Sequence, residues 1–301
     1  MSIDPVYEAE KRWHIQLKKA TSNEYVGECP FCNTGTDRFH VFVNEGNYWC
    51  RQCDAKGWLD DDKDMTDHEH RIRELEAQQR ATERRLSEQD RRLSALEKIH
   101  ASTDHLRYFH NMEVHTEAIE YWVNQGMSLQ TIDDYLLGYC PRCPTDRDGR
   151  ESYTIPVLAF DKLWNIRHRL IGADKSDKYR PHLAGLPAML FNADYLKCEN
   201  ESIIVVEGEK KSIITAQAGF PNVGMMGKSG FKPEWVSKFR LFKTIYVALD
   251  PDAEQQAVDI ARLFKERGRV VKLPNKIDDL ITQYGATPTD IEWFIKMGRP
   301  V

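Results

Sequence analysis

The sequence has no long uninterrupted apolar run. No stretch approaches the ~20 apolar residues that span a bilayer, and residues 1–15 mix acidic and basic side chains with apolar ones, unlike the core of a signal peptide. These absences argue against a membrane-spanning or secreted chain. We therefore expect a cytoplasmic protein that acts without a membrane.

An excess of positive charge is also missing. The chain carries 42 Lys and Arg residues against 47 Asp and Glu residues, and its net charge is −5 at pH 7. Proteins that bind nucleic acid often have a basic excess spread over a whole domain. Any surface of this chain that binds phosphate groups must therefore be local.

Cysteine is present in an odd number, seven, which argues against a framework of disulfides. Four cysteines form two tight pairs, Cys29–Cys32 and Cys50–Cys53, with seventeen residues between the pairs. Two CxxC turns at this spacing bring four thiolates to the corners of a tetrahedron, as in structural Zn²⁺ sites. Between the two pairs, Phe39, Val41 and Val43 alternate with His40 and Phe42, and a turn follows, which predicts a β-hairpin. We predict a zinc ribbon in residues 1–60, in a reducing compartment.

The role of this ribbon has two interpretations. Zinc holds together a segment too short to build its own core, so the module could be only structural. Alternatively, Arg38, His40, Trp49 and Arg51 contact nucleic acid by stacking on bases or by hydrogen bonding to them. The composition of the module does not choose between the two.

A third CxxC stands at Cys140 and Cys143 and has no partner pair elsewhere in the sequence. Cys198 alone is a poor completion of a metal site. We interpret the motif as a turn with two free thiols rather than as half of a second metal site.

Residues 61–100 form a highly charged connector. From Arg71 to Ile99 there is no Gly or Pro, which favours one long helix. Apolar residues fit the a and d positions of a heptad, but polar residues interrupt the same register. The apolar residues are Ile72, Leu75, Leu86, Leu93 and Leu96, and the polar ones are Gln79, Thr82 and Gln89. We favour a single solvated helix that acts as a spacer over a stable coiled coil.

The last hundred residues alternate between strand and helix patterns. Apolar runs at 203–206, 244–249 and 270–273 predict strands, and periodic segments at 211–218 and 257–264 predict helices. This alternation is typical of a parallel sheet with helices packed on it. We therefore expect a mixed α/β fold after the connector.

Acidic residues follow three of the predicted strands. Glu207 comes after the first, Asp250 and Asp252 after the second, and Asp278 and Asp279 after the third. The carboxyl ends of parallel strands meet at one edge of a sheet, so these side chains should converge. Without a counter-charge they would repel one another, and hard oxygen ligands suit Mg²⁺ or Mn²⁺. Such ions assist phosphoryl transfer.

The three acidic motifs together resemble the TOPRIM domain, which bacterial-type primases, topoisomerases and some nucleases share. The motifs are EGE at 207–209, DPD at 250–252 and KIDDL at 276–280, and the resemblance covers residues 200–285. It implies a parallel α/β sheet.

The resemblance also implies roles for the acidic residues. Glu207, Asp250 and Asp252 would hold the catalytic Mg²⁺ or Mn²⁺. Asp278, with Asp279 as a substitute, would form the third acidic motif. These five residues are therefore the expected catalytic set.

The order of the modules is similar to the layout of bacterial- and phage-type DNA primases: a zinc ribbon, the connector, a basic region at 101–199 and a TOPRIM domain at 200–301. Topoisomerases of this group usually place TOPRIM first. The resemblance implies synthesis of short RNA primers on single-stranded DNA from nucleoside triphosphates. Action in a bacterial host cell is expected. The absence of a motor domain favours a separate replicative helicase as partner, and the compactness of the chain favours a phage or mobile element as the source.

Several basic residues are expected to bind the substrates. Arg167 and Arg169 are two apart on a predicted strand and so share a face, and Lys178 adds charge nearby. These residues would hold the template backbone and the incoming triphosphate. Primases often have an acidic residue shortly after the glycine of the first motif, where this chain has Lys210 and Lys211. We expect these two lysines to bind substrate as well.

Two other functions use the same residues. A TOPRIM nuclease would cut DNA with these carboxylates, although the upstream ribbon disfavours it. A non-catalytic, replication-associated DNA-binding protein would have no reason to gather charges that repel. The segment 227–229 imitates the end of a P-loop, but Asn222 stands where that motif needs Gly, so no ATP-driven motor is predicted.

Overall fold

A computed structural model describes residues 4–33, 35–59, 67–174, 178–226 and 230–301. The chain divides into two compact units, Met1–Leu93 and Ser94–Val301. The P-loop-like segment 227–229 lies outside the described residues. Among the described helices, none combines the length and the apolar character that crossing a bilayer requires.

The first unit is built on one antiparallel sheet. Helix α1 (Pro5–Trp13) precedes it, and the side chain of Asp4 caps this helix by accepting from the backbone N–H of Val6. Each strand pairs with the next in the chain. The strands are β1 (Leu17–Lys19), β2 (Glu24–Gly27), β3 (Phe39–Phe42), β4 (Asn47–Cys50) and β5 (Lys56–Trp58).

Aromatic rings fill the small core of this unit. The ring of Trp13 packs edge-on against Phe31, Phe39 and Tyr48, with centroid separations of 5.5, 5.3 and 4.9 Å. Such a core is small, so the ribbon needs a further source of stability.

Helix α2 (Asp67–Ala101) begins in the first unit and ends in the second. Four of its heptad leucine and isoleucine side chains are exposed, namely Ile72, Leu75, Leu86 and Leu93. Its first half is instead bound to the ribbon, because Arg80 donates to the carbonyl of Cys53 at 2.8 Å and Arg84 donates to that of Arg51 at 2.9 Å. The part of the connector up to Leu93 therefore belongs to the ribbon unit.

The second unit begins with three short helices and an antiparallel sheet. The helices are α3 (Asp104–His110), α4 (Thr116–Asn124) and α5 (Leu129–Asp134). The strands pair in chain order: β6 (Gly138–Cys140), β7 (Ser152–Ala159), β8 (Lys162–Leu170) and β9 (Tyr179–Pro181).

A parallel four-stranded sheet follows, in the order β11-β10-β12-β13. Its elements are β10 (Ser202–Glu207), α6 (Glu209–Gln217), β11 (Asn222–Met225), β12 (Thr244–Ala248), α7 (Glu254–Leu263), β13 (Gly268–Val270), α8 (Ile277–Thr282) and α9 (Pro288–Lys296). Alternate residues of β10 serve two cores. Ile203 and Val205 pack on the side of α7, and Ile204 and Val206 pack on the side of α8 and α9.

The strand order creates a crevice between β10 and β12. From β10 the chain crosses to β11 on one side, and from β12 it crosses to β13 on the other. Ligands of open α/β sheets bind at such a switch point, outside the carboxyl ends of the strands. Glu207 ends β10, and Asp250 follows β12 by two residues.

Candidate functional site

The four ribbon cysteines form a zinc site. Their sulfur atoms lie within 4.8 Å of one another and all four residues are buried. The Sγ atoms of Cys29 and Cys53 are 3.8 Å apart, and those of Cys32 and Cys50 are 3.9 Å apart. A tetrahedron with Zn–S bonds of ~2.3 Å has edges of about 3.8 Å. The donor set therefore fits a closed structural Zn²⁺ site.

The two CxxC turns are built alike. The N–H of Asn33 donates to the carbonyl of Cys29 at 2.9 Å, and the N–H of Asp54 donates to that of Cys50 at 3.0 Å. Asn33 and Asp54 both adopt the left-handed conformation, with φ of 49° and 58°. Asn and Asp tolerate this conformation better than other non-glycine residues. Local sequence thus preshapes both halves of the zinc site.

The ribbon residues proposed to contact nucleic acid differ in exposure. Trp49 is 37% exposed, and the side chains of Arg38 and Arg51 are also exposed. His40 is buried, and its Nδ1 lies 2.6 Å from a carboxylate oxygen of Glu24, so its role is structural.

A second exposed tryptophan lies in the ribbon and was not predicted from the sequence. Trp58 is 52% exposed and lines a groove of about 390 Å³ together with Phe42, Trp49 and Lys56. Its position at the end of the last strand gave no periodic pattern by which to find it.

The third CxxC lies in the second unit and is buried. Cys140 ends β6, and its thiol lies 3.1 Å from the carbonyl of Arg142. Burial raises the pKa of the Cys140 thiol above its usual value. Cys143 Sγ lies 3.6 Å from the hydroxyl of Thr145. In the described ranges, the only cluster of three or more metal-binding side chains is that of the four ribbon cysteines.

The structure brings the acidic motifs to one end of the parallel sheet. Asp250 and Asp278 are buried there, at 7% and 3% exposure. Gly208, with φ of 84°, turns the chain from β10 directly into α6, which places Glu207 and the start of α6 at the same corner. Asp252 is exposed in the turn before α7.

Lysines of α6 neutralise the buried carboxylates. Lys210 Nζ lies 2.9 Å from Oδ2 of Asp278, and Lys211 Nζ lies 3.1 Å from Oδ1 of Asp250. Lys276 approaches the other oxygen of Asp250 at 3.9 Å. The counter-charge that the sequence analysis assigned to a divalent cation is thus supplied, in part, by the protein.

The chemistry of the donors also fits a hard cation. Oδ1 of Asp278 is buried and has no hydrogen-bond partner within the described parts of the chain, and an unsatisfied carboxylate oxygen is costly unless a cation or water reaches it. Asp279 differs, because its Oδ1 accepts from Gln283 at 3.0 Å. The carboxylates of the described residues do not gather three of their oxygens within 4.8 Å.

Arginines from the antiparallel sheet reach this corner. In β8, Arg167 and Arg169 alternate with the buried residues Ile166, His168 and Leu170, so they share the opposite face. Arg167 Nε lies 3.3 Å from Oε1 of Glu209, in the first turn of α6.

Arg169 lies on an aromatic pair next to the same corner. Its guanidinium lies 5.2 Å from the ring centre of Tyr121, which stacks on Tyr153 at 3.5 Å. The side-chain oxygen of Gln125 accepts from Lys210 at 3.3 Å and from Arg169 at 3.4 Å. Lys178 is half-buried immediately before β9.

Glu209 is the site residue for which the sequence analysis gave no role. It lies two residues after Glu207 in the first acidic motif and is only 8% exposed. A buried carboxylate next to an arginine holds that arginine in place. Only the folded arrangement, in which β8 approaches α6, reveals this pairing.

Comparisons with known proteins agree with this architecture. Residues 8–78 match the CHC2 zinc finger family. A DNA primase from Geobacillus stearothermophilus is 27% identical over 333 residues, and the match covers 90% of this chain and 55% of that protein. The chain therefore spans about half the length of this relative.

Solved primase structures share the fold. The zinc-binding and RNA polymerase domains of Aquifex aeolicus primase match with a TM-score of 0.53 and 19% identity, covering 99% of this chain and 83% of that one. The DnaG primase catalytic domain bound to ssDNA matches with a TM-score of 0.57 and 18% identity, covering 70% of this chain and 83% of that one. The predicted fold class is thus confirmed, and this chain resembles bacterial-type DNA primases along most of its length, in its zinc ribbon and in its α/β fold.

Proposed function

We propose that this protein is a DNA primase, which copies single-stranded DNA into short RNA primers from nucleoside triphosphates. One observation carries the proposal. Glu207, Asp250 and Asp278 come from three separate elements to one end of the parallel sheet, and Arg167 reaches the same corner through Glu209. Nucleotidyl transfer needs carboxylates that bind cations beside basic groups that bind phosphate.

The carboxylates would hold the divalent cations. Glu207, Asp250 and Asp252 are the ligands we propose for Mg²⁺ or Mn²⁺, with Asp278 and Asp279 as the third acidic motif. When bound, such a cation supplies positive charge where the 3′-hydroxyl attacks the α-phosphate and where pyrophosphate leaves. Lys210 and Lys211 place positive charge 2.9 Å from Asp278 and 3.1 Å from Asp250.

The basic residues would bind the substrates. Arg167 and Arg169 present fixed guanidinium groups on one face of β8, and such groups suit bidentate contacts to phosphate. Lys178 lies next to the same strand and would add charge for the template backbone. Lys210 and Lys211 would contact the triphosphate once a cation shares their carboxylates.

The ribbon would contact the template. Trp49 and Trp58 are exposed beside one groove, and bases of single-stranded nucleic acid stack on such side chains. Arg38 and Arg51 share one ion-pair partner, Asp37, so the group keeps a net positive charge at the surface of the same unit. This supports a role in template contact beyond the structural one.

A primer-synthesis assay tests the proposal. The purified protein is incubated with mixed-sequence single-stranded DNA, four nucleoside triphosphates of which one is labelled, and Mg²⁺ or Mn²⁺, with and without a replicative helicase from the same source. We expect short labelled oligoribonucleotides from the wild type and none from Asp250→Asn. Asp259→Asn is the matched control, because Asp259 is an exposed carboxylate on α7 that contacts only Gln255 and Arg262 in the described structure.

Two outcomes would overturn the proposal. Primer synthesis by a folded Asp250→Asn protein would remove this carboxylate from the mechanism. Cleavage of DNA by the wild type, without labelled RNA under any condition, would replace the primase by the nuclease. Melting temperature and zinc content, measured on the same preparations, confirm that each variant is folded.

A further inference from the structure

A buried chain of hydrogen bonds crosses the antiparallel sheet of the second unit. The Oγ atom of Ser152 lies 2.9 Å from Nδ1 of His168, and Nε2 of His168 lies 3.1 Å from Nδ1 of His182. Nε2 of His182 lies 3.2 Å from Oδ2 of Asp104. These hydrogen bonds join β7, β8, the residue after β9 and the first turn of α3. None of the four residues is an acidic or lysine residue of the site at the end of the parallel sheet.

The direction of every hydrogen bond follows from Asp104. Its carboxylate can only accept, so His182 carries its proton on Nε2 and its Nδ1 accepts. His168 must then donate from Nε2 and accept at Nδ1 from the hydroxyl of Ser152. Two neutral imidazoles of the same tautomer therefore satisfy the chain from end to end.

The surroundings keep both imidazoles neutral. Ser152 and His168 are fully buried, at 0% exposure. Burial, assisted by His182 and Arg167, lowers the pKa of His168 to about 3, and burial also lowers the pKa of His182.

Several charged or titratable groups surround this pair. Asp104, Arg107 and Tyr108 approach it from α3 and Cys140 from β6, and Arg180 of β9 lies opposite His168 in the sheet. Arg167 is next to His168 in β8 but lies on the other face of the strand. A buried polar chain that is fully satisfied fixes one arrangement of the elements it joins.

His168 stands between the two arginines of β8. Because side chains of a strand alternate, His168 points to the face covered by Tyr108, at 5.4 Å between ring centres, while its neighbours point to the opposite face. On that opposite face Arg167 meets Glu209 and Arg169 lies over Tyr121. If these hydrogen bonds are lost and β8 shifts or tilts, both arginines move with the strand.

The Asp104 end of this hydrogen-bond chain lies next to the end of helix α2. Asp104 follows Ala101 by three residues, and its carboxylate also binds the hydroxyl of Ser102 at 3.1 Å and Arg107 at 2.5 Å. Asp104 is therefore a fixed anchor for the imidazoles.

We propose that His168 and His182 are positioning residues, which hold β8 so that Arg167 and Arg169 present their guanidinium groups to the phosphates of template and triphosphate. This inference rests on the proposed substrate-binding role of the two arginines. The imidazoles act through the strand and do not touch substrate.

The test uses the full chain and two substitutions at one position. His168→Leu removes both hydrogen bonds. His168→Gln keeps an N–H that can donate and an oxygen that can accept. We measure binding of a fluorescent single-stranded oligonucleotide and of a nucleoside triphosphate with Mg²⁺, and the KM and kcat of primer synthesis. We expect His168→Leu to weaken binding of both ligands, and to raise the KM for nucleoside triphosphate, about tenfold. This factor corresponds to the loss of about one hydrogen bond to a charged group. The change in kcat should be smaller. His168→Gln should restore most of the loss.

A double-mutant cycle separates positioning from a general loss of stability. If His168 acts through the two arginines, then adding His168→Leu to a protein that carries Arg167→Ala and Arg169→Ala will weaken binding scarcely further than the two arginine substitutions alone. Effects that multiply, or a His168→Leu protein that melts early but binds normally, would overturn the proposal. If His168→Leu does not fold, Ser152→Ala replaces it in the same cycle.

The outcomes also separate this inference from the proposed function. The binding measurements do not require catalysis. A wild type that binds both ligands in an Arg169-dependent way but makes no primer would defeat the primase proposal and leave the positioning test intact. If the Arg167→Ala and Arg169→Ala proteins bind both ligands as well as the wild type, and the wild type makes primers, then the positioning proposal and the substrate-binding role of the two arginines fail while the primase proposal stands.

Discussion

Lys211 and Asp250 form a buried ion pair across the switch point of the parallel sheet, with 3.1 Å between Nζ and Oδ1. The preceding residue, Lys210, makes the equivalent contact with Asp278. Consecutive residues of a helix point about 100° apart, so one turn of α6 serves carboxylates on two other elements. A metal ion that binds here must therefore share Asp250 and Asp278 with two lysines.

The first prediction concerns the stability of this ion pair. Among the described residues, Lys211→Met leaves the buried Asp250 with Lys276, at 3.9 Å, as its remaining ion-pair partner. We therefore expect the free energy of unfolding without metal to fall by about 3 kcal/mol, as when one partner of a buried pair is removed. Mg²⁺ can then supply the missing charge. We therefore expect added Mg²⁺ to raise the melting temperature of Lys211→Met more than that of the wild type.

A surface pair provides the control for this experiment. Lys243 pairs with Glu201, and both side chains are more than three-quarters exposed. Lys243→Met should change neither the stability nor the response to Mg²⁺ beyond a few tenths of a kcal/mol. An identical Mg²⁺ response in Lys211→Met and the wild type would mean that the cation does not share Asp250 with the lysine.

The second prediction separates two neighbouring glutamates. Glu209→Gln removes the charge that holds Arg167, so we expect KM for nucleoside triphosphate to rise with kcat largely kept. Glu207→Gln removes a proposed metal ligand, so we expect kcat to fall by at least about 10², the scale of losing a main electrostatic contact in the transition state. Steady-state primer synthesis measures both. Equal effects on kcat from the two substitutions would contradict the division of roles.

The third prediction concerns the ribbon. Cys50→Ser removes one of four zinc ligands, and the aromatic core of the first unit is small, so we expect loss of zinc and unfolding of that unit. Nucleotide binding by the second unit should remain, whereas primer initiation should fall. Zinc release, measured with a colorimetric chelator, and primer synthesis test this. Cys198→Ser is the matched control, because Cys198 is an exposed free thiol. Normal initiation by a zinc-free Cys50→Ser protein would make the ribbon dispensable.

Local patterns predicted much of this architecture. The spacing of Cys29, Cys32, Cys50 and Cys53 fixes a tetrahedral site because each CxxC turn is a local structure. The apolar runs before Glu207 and Asp250 predicted strands, since strands buried on both faces read as continuous apolar segments. The third strand was less well located. It spans Gly268–Val270 instead of 270–273, because Gly268 already pairs with Ile245.

The features that the sequence did not predict depend on contacts between segments that are far apart in the sequence. No local pattern connects Lys210 with Asp278, or Arg167 with Glu209, because each pair joins different elements. The chain through His168 and His182 was also missed, since a lone histidine in a strand carries no periodic pattern. The exposure of Trp58 and the burial of His40 likewise follow from the three-dimensional packing of the ribbon.

The fourth prediction concerns pH. The pKa of His168 is about 3 in the folded protein and near 6.5 when unfolded. Below pH 6.5 the unfolded chain takes up a proton that the folded one does not, so stability present above pH 6.5 is lost as pH falls through 6.5 towards 3. One such histidine changes the free energy of unfolding by at most about 1.4 kcal/mol per pH unit.

His168→Gln isolates this contribution, because glutamine does not titrate and the other titratable groups stay the same. Urea unfolding of the second unit is measured for both proteins at pH 7, 6 and 5. If the wild type is the more stable at pH 7, the gap should narrow as the pH falls, since only the wild type loses the contribution of a buried neutral imidazole. Parallel pH dependences would mean that His168 takes up its proton at the same pH in the folded and the unfolded protein, and burial would then not keep its imidazole neutral.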